Sequence, residues 1–225
     1  QRYRTGGIYF DYFSTHMADC FNPTHGHALG GGDYWARGVH DLFQQVWDGA
    51  HKADPEAMLC AEDLAEFCLD VLDASYVGIT ADAPVWQAVY HDYTQVFGGM
   101  HWMEQGQIPL SRQWLYGRIN QLPGTLGFAD AKPETMEWYR DLLRCTHEFA
   151  RPYLGYGEML RPPEIPGDIP RLTMEAADGP FEATAVEGTA WRASDGSVGI
   201  FFINYEDQPR QFTWKTDLGE IAGLD

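Results

Sequence analysis

Three short apolar runs in the first hundred residues each stop at a polar cluster. Gly7 to Phe10 ends at Asp11, Ala57 to Ala61 ends at Glu62-Asp63, and Val85 to Tyr90 ends at His91-Asp92. Between the first two, Val39, Leu42, Phe43, Val46 and Ala50 recur at helical spacing. Strand, helix, strand in that order is the βαβ unit, whose two strands run parallel, so the pattern commits the chain to an α/β fold. In such enzymes the reacting groups stand at the carboxyl ends of strands. Asp11 alone is level between that role and the plain one of ordering a loop.

The helix between those runs is expected to start near Tyr34, with Asp33 as N-cap, and to end at Asp54-Pro55. Leu64 to Leu72 reads as a short helix, Tyr76 to Ile79 as a strand and Val85 to Tyr90 as a further strand. A helix from Ser111 to Asn120 and a strand at Thr125 to Phe128 follow. Pro133 to Tyr153 reads as a long helix, with Pro133 in its first turn and Trp138, Leu142, Cys145 and Phe149 in one stripe. Arg161 to Gly167, with three prolines, is a helix-incompatible linker. After it the pattern becomes alternating, over Arg171–Glu175, Ala183–Arg192, Val198–Asn204 and Gln211–Lys215, with turns at Asp178-Gly179 and Asp195-Gly196. The expected architecture is therefore a partial (β/α)8 TIM barrel over residues 1–167, then an antiparallel β-sandwich segment, itself incomplete, over 168–225.

Two carboxylates at successive strand ends, Asp11 and Glu62, suit division of labour between nucleophile or base and acid, as cleavage of a glycosidic bond requires. Glu66, one turn further on, faces either the same cleft or solvent. The stretch from Ser14 to Asp33 is long and irregular, and dense in His, Asp and Cys, which favours a functional loop. Its His25 and His27, with Trp35, His91 and Asp92, are the expected substrate contacts. Aromatic rings stack on sugar faces and leave the hydroxyl edges free for hydrogen bonds. Cys20, His25 and His27 also admit a metal-dependent hydrolase. Their spacing matches no structural zinc pattern, so the expected site contains no metal.

A net charge of -18 repels polyphosphates and anionic lipid surfaces, so neither nucleic acid nor membrane is an expected partner. The chain has no Gly-x-Gly-x-x-Gly, Walker loop, Gly-x-Ser-x-Gly elbow or His-Glu-x-x-His, and no cofactor is expected. No apolar run reaches bilayer length and no basic-then-apolar leader opens the chain, which points to a soluble protein. The four cysteines contain no Cys-x-x-Cys pair, which argues against a disulfide framework and leaves the compartment open.

Gly-Ile-Tyr-Phe-Asp-Tyr-Phe (Gly7 to Phe13), the Cys20 to Gly32 stretch, Ala-Glu-Asp-Leu-Ala-Glu (Ala61 to Glu66) and Tyr-Gly-Glu-Met-Leu-Arg-Pro-Pro (Tyr156 to Pro163) are familiar as a set. From Gly7 to about Asn204 the chain resembles the carboxyl-terminal half of a bacterial family of glycoside-hydrolase-like (β/α)8 barrels with a C-terminal β-sandwich. That family is distantly similar to α-galactosidase-type glycosidases. The resemblance implies a carbohydrate substrate, and it implies that the Asp11 strand is about the fourth or fifth of the barrel. In α-galactosidase-type barrels the nucleophile is an Asp ending the fourth strand, and Asp11 is the match. The acid there ends the sixth strand, whereas Glu62 ends the next strong strand after Asp11. With Gln1 at its start and Gly223-Leu224-Asp225 in mid-pattern, truncation at both ends is expected. Half a barrel exposes strand edges, so the missing half or self-association is the expected partner. A barrel that keeps its sugar site but has lost its acid, and binds without cleaving, is the other reading.

Overall fold

The computed structural model describes residues 6–12, 17–77, 84–98, 107–120, 132–176, 179–214, 217, 219 and 221. The chain divides into two compact units, Gln1–Val77 and Gly78–Asp225.

The first unit contains β1 (Gly7–Phe10), α1 (Tyr34–Ala53), β2 (Met58–Glu62) and β3 (Ala74–Val77). The three strands are parallel, with Phe10 beside Ala61 and Glu62 beside Tyr76. This is the βαβ unit that the apolar runs predict. The α1 helix forms because Val39 and Phe43 recur on one face and bury against Leu59 and Ala61 of β2. Asp33 occupies the N-cap position without a capping bond, and its carboxylate instead pairs with Arg37 at 2.8 Å. Leu42 is 36% exposed and lies off the predicted inward stripe. Phe10 packs on Phe43 with ring centroids 4.9 Å apart, which ties β1 to the same core. Full burial of a side chain such as Phe43 contributes about 1.5–3 kcal/mol. The predicted helix over Leu64–Leu72 is only a 3₁₀ turn at Glu66–Cys68. Of the residues expected to face inward, Cys68, Val71 and Leu72 are buried, while Leu64 is half-buried and Ala65 is buried beside it; successive tight turns deliver them.

The second unit contains α2 (Val85–Tyr90), β4 (Gln95–Gly98), α3 (Gln107–Leu115), β5 (Ile119–Asn120) and α4 (Pro133–Cys145), which runs into a π-helical segment (Thr146–Gly155). Strands β6 (Glu158–Leu160), β7 (Arg171–Ala176), β8 (Gly179–Thr184), β9 (Val186–Arg192) and β10 (Val198–Asn204) follow. β4 and β5 are parallel. β10, β9 and β6 form one antiparallel sheet, and β7 with β8 forms a hairpin. Arg161–Gly167 has no regular structure, yet β6 lies before it and pairs with β9. The core gathers Leu110, Leu142, Leu154 and Phe201 around the fully buried Trp191.

Several expectations fail here. Val85–Tyr90 is a helix, not a strand. Its β-branched and aromatic composition suggests a pleated surface, but Gln87 is the buried residue while Val85 and Val89 face outward. The helix expected over Ser111–Asn120 begins at Gln107 and stops at Leu115, because Gly117 turns the chain at φ 70° into β5. β3 begins two residues before Tyr76, and Ile79 lies outside the described residues, as does the strand expected at Thr125–Phe128. Gln211–Trp214 is not a strand.

Candidate active site

β1 and β2 run side by side and in register, so the residues that follow them emerge together. Asp11 is the first residue after β1 and is exposed; Glu62 is the last of β2 and is half-buried. Asp11 lies close enough to Glu62 to act on its ionisation. Burial favours the protonated form of Glu62; the Tyr12 N–H, 2.9 Å from Oε2, opposes it, and the Asp11 side chain and the Asp63 charge support it. The net effect raises Glu62 above the usual carboxylate range.

Two tyrosines wall the pair. Tyr9 donates to Asp11 Oδ1 at 3.5 Å, and its ring meets Tyr76 edge-on at 6.1 Å. Burial first, then the charges of Glu62 and Asp11, push both phenols above their usual range, so they remain hydrogen-bond donors.

The backbone is strained at two adjoining points. Tyr12 and Asp63, each next after a site carboxylate, have φ of 55° and 65°. Non-glycine residues there cost about 1–2 kcal/mol and collect at functional sites. At Tyr12 the unusual turn accompanies the N–H contact to Glu62; at Asp63 the N–H reaches Tyr76 O at 2.7 Å. No sequence pattern signals either turn, since neither residue is glycine.

The other expected site residues are distributed as follows. Cys20, His25 and His27 come together in one loop of the first unit. Trp35 packs against the α1 core rather than standing free. Glu66 is exposed at the start of the 3₁₀ turn. His91 and Asp92 belong to the second unit. His91 follows a helix, is 1% exposed, packs on Trp191 at 4.8 Å and donates from Nε2 to Leu154 O at 3.1 Å. Burial lowers its pKa, so it is neutral and engaged inside its unit. Asp92 is exposed. Of the other tryptophans, Trp114 is in the core and donates to Thr146 Oγ1 at 2.7 Å, Trp86 packs on Tyr90, and Trp102 lies outside the described residues.

The second unit also has an open, mostly apolar groove of about 600 Å³ lined by Tyr116, Leu160, Pro163, Ile165 and Val186. Glu187 on its wall is held by Arg112 at 3.0 Å and by the Tyr205 hydroxyl at 2.9 Å, which leaves it a structural ion pair.

Residues 1–102 match a family described as a domain of unknown function (DUF6259). Two curated relatives align along most of the chain. One, from Monosiga brevicollis, is named "Putative glycoside hydrolase 22789" and is 23% identical over 89% of this chain. The other, from Bacteroides thetaiotaomicron, is named "Putative glycoside hydrolase" and is 27% identical over 93% of it. The chain spans 20% of the first relative's length and 32% of the second's.

Proposed function

We propose that this chain carries the carboxylate pair of a glycoside hydrolase, built on a β/α barrel. The observation that carries the reading is the placement of Asp11 and Glu62 side by side at the carboxyl ends of adjoining parallel strands. Both relatives' names agree with it. Glu62, whose pKa is raised, is the acid; Asp11 is the nucleophile or base. Carboxyl groups that cleave a glycosidic bond stand about 5–5.5 Å apart in retaining enzymes and about 6.5–9.5 Å in inverting ones. In the reacting form Glu62 is protonated and donates to the glycosidic oxygen. As the C–O bond breaks, that proton goes to the leaving oxygen, while the Asp11 carboxylate attacks the anomeric carbon or takes a proton from the attacking water. Tyr9 and Tyr76 offer ring faces and hydroxyl donors beside the pair.

The test is turnover of a panel of aryl glycosides by the protein expressed from the full open reading frame that encodes this chain. Asp11→Asn and Glu62→Gln are each expected to lower turnover at least 100-fold, in line with loss of a positioned acid or base. Unchanged turnover in both variants rules the assignment out. The Tyr9 ring and hydroxyl beside Asp11 also suit one other reading, a barrel that binds sugar without cleaving it. Calorimetry would then show binding while no product forms.

A further inference from the structure

We infer that the loop from Cys20 to Gly30 is a zinc site, with Cys20, His25 and His27 as protein ligands and a fourth position open to water. One donor atom from each residue lies within 4.8 Å of the other two. Cys20 Sγ and His25 Nδ1 are 3.1 Å apart. Zn–S and Zn–N bonds of about 2.3 and 2.0 Å place two such atoms about 3.5 Å apart at a tetrahedral angle. The loop needs only a small adjustment to seat the ion.

His27 is prepared as a ligand. Its Nδ1 lies 2.7 Å from Ala28 O, and a carbonyl only accepts, so Nδ1 carries the proton and Nε2 presents its lone pair. A backbone carbonyl behind a ligating histidine is the usual contact that fixes its tautomer. The ring also lies flat on Tyr34, at 4.0 Å and 3°, and the Tyr34 hydroxyl is anchored to Ala18 O at 2.6 Å.

Asn22 plays the matching part for His25. Its Oδ1 accepts from Thr24 N at 2.9 Å and Thr24 Oγ1 at 2.8 Å, which turns Nδ2 toward His25 Nε2 at 2.8 Å. His25 therefore accepts at Nε2, and its Nδ1–H points at the Cys20 sulfur. On ligation Cys20 releases its thiol proton to solvent, and His25 shifts its own proton from Nδ1 to Nε2. The Asn22 amide must then present its oxygen to that N–H. The loop is closed at its ends by a two-bond backbone bridge, Gly30 N to Cys20 O at 2.7 Å and Cys20 N to Gly30 O at 3.4 Å. One thiolate and two imidazoles select zinc over oxygen-preferring cations. Ligation would withdraw His25 and His27 from the substrate-contact role that their position suggests. The inference does not rest on the glycosidase reading, and its test uses no activity.

The intact chain, loaded with zinc and dialysed into metal-free buffer, is expected to retain one zinc per chain by mass spectrometry. Cys20→Ser and His27→Ala should lose it, while Cys145→Ser keeps it. Loading with Co²⁺ should give a thiolate-to-cobalt charge-transfer band in the unaltered protein that vanishes in Cys20→Ser. A chain that retains no zinc and gives no such band overturns the site, as does a Cys20→Ser variant that still holds stoichiometric metal. Asn22→Asp should tighten zinc binding about 10-fold, because a carboxylate accepts the Nε2 proton without turning. Equal or weaker binding in that variant overturns ligation through Nδ1.

Discussion

Burial and the Asp11 side chain raise the Glu62 pKa against the pull of the Tyr12 N–H, and this has a thermodynamic signature. The folded chain binds that proton more tightly than the unfolded chain, whose glutamates titrate near about 4.3. Stability from this residue is therefore fully present below that value and declines as pH rises through the higher folded value. Glu62→Gln keeps an acceptor for Tyr12 N and cannot ionise. It is expected to raise the melting temperature at pH 7 and to leave it unchanged at pH 4, as followed by circular dichroism. A variant less stable than the parent at pH 7 would show that the fold favours the ionised form of Glu62 instead. Asp11 and Glu62 were legible in the sequence, because a carboxylate that ends an apolar run is visible in one dimension. Their side-by-side placement was not, since it depends on strand register, and neither were the left-handed turns at Tyr12 and Asp63. Nor was the part played by Tyr9 and Tyr76, which sit within the runs and read as core.

Among the elements, two glycines separate backbone strain from lack of space. Gly117 and Gly196 both have left-handed φ, of 70° and 85°. A Cβ on Gly196 meets nothing within 4 Å, whereas one on Gly117 would lie 2.7 Å from the Trp191 ring and 2.9 Å from Leu154 O. Gly196→Ala is expected to cost about 1–2 kcal/mol. Gly117→Ala adds the overpacking penalty, a further 1–3 kcal/mol or so. Urea titration of both variants checks the ordering, and equal losses would contradict it. Elements with strong periodicity and a clear stop, such as α1 and the start of α4, were readable in advance. Val85–Tyr90 was not, because six residues carry too little periodicity to separate helix from strand. The stripe on α4 slips for another reason. The π-helical turns from Thr146 change the residue count per turn, so Ala150 and Leu154 are buried in place of Phe149, which is 51% exposed. Phe149 still stacks on Phe201, from the rim of that core.

At the scale of the whole molecule, the charge of -18 disfavours polyanionic partners. β1 stands at the margin of its sheet, pairing with β2 alone among the described residues, and exposes Ile8 and Tyr9 at 41% and 45%. An open edge with apolar side chains recruits another strand. The chain expressed by itself is expected to self-associate by light scattering, and Ile8→Lys should shift it toward monomer. A clean monomer of the unaltered chain would remove the edge as an interaction surface. The mixture of parallel and antiparallel sheet was readable from the change of pattern after Gly167, although β6 joins the antiparallel sheet from before that point. The left-handed backbone at Tyr12 and Asp63 bears on how this chain would respond to selection. A laboratory search for heat-tolerant descendants would be drawn to glycine at both positions, since glycine adopts that backbone without penalty. Such descendants would gain robustness by loosening the two turns that follow the carboxylates, so under the proposed reading heat tolerance and turnover would be selected in opposite directions at these sites.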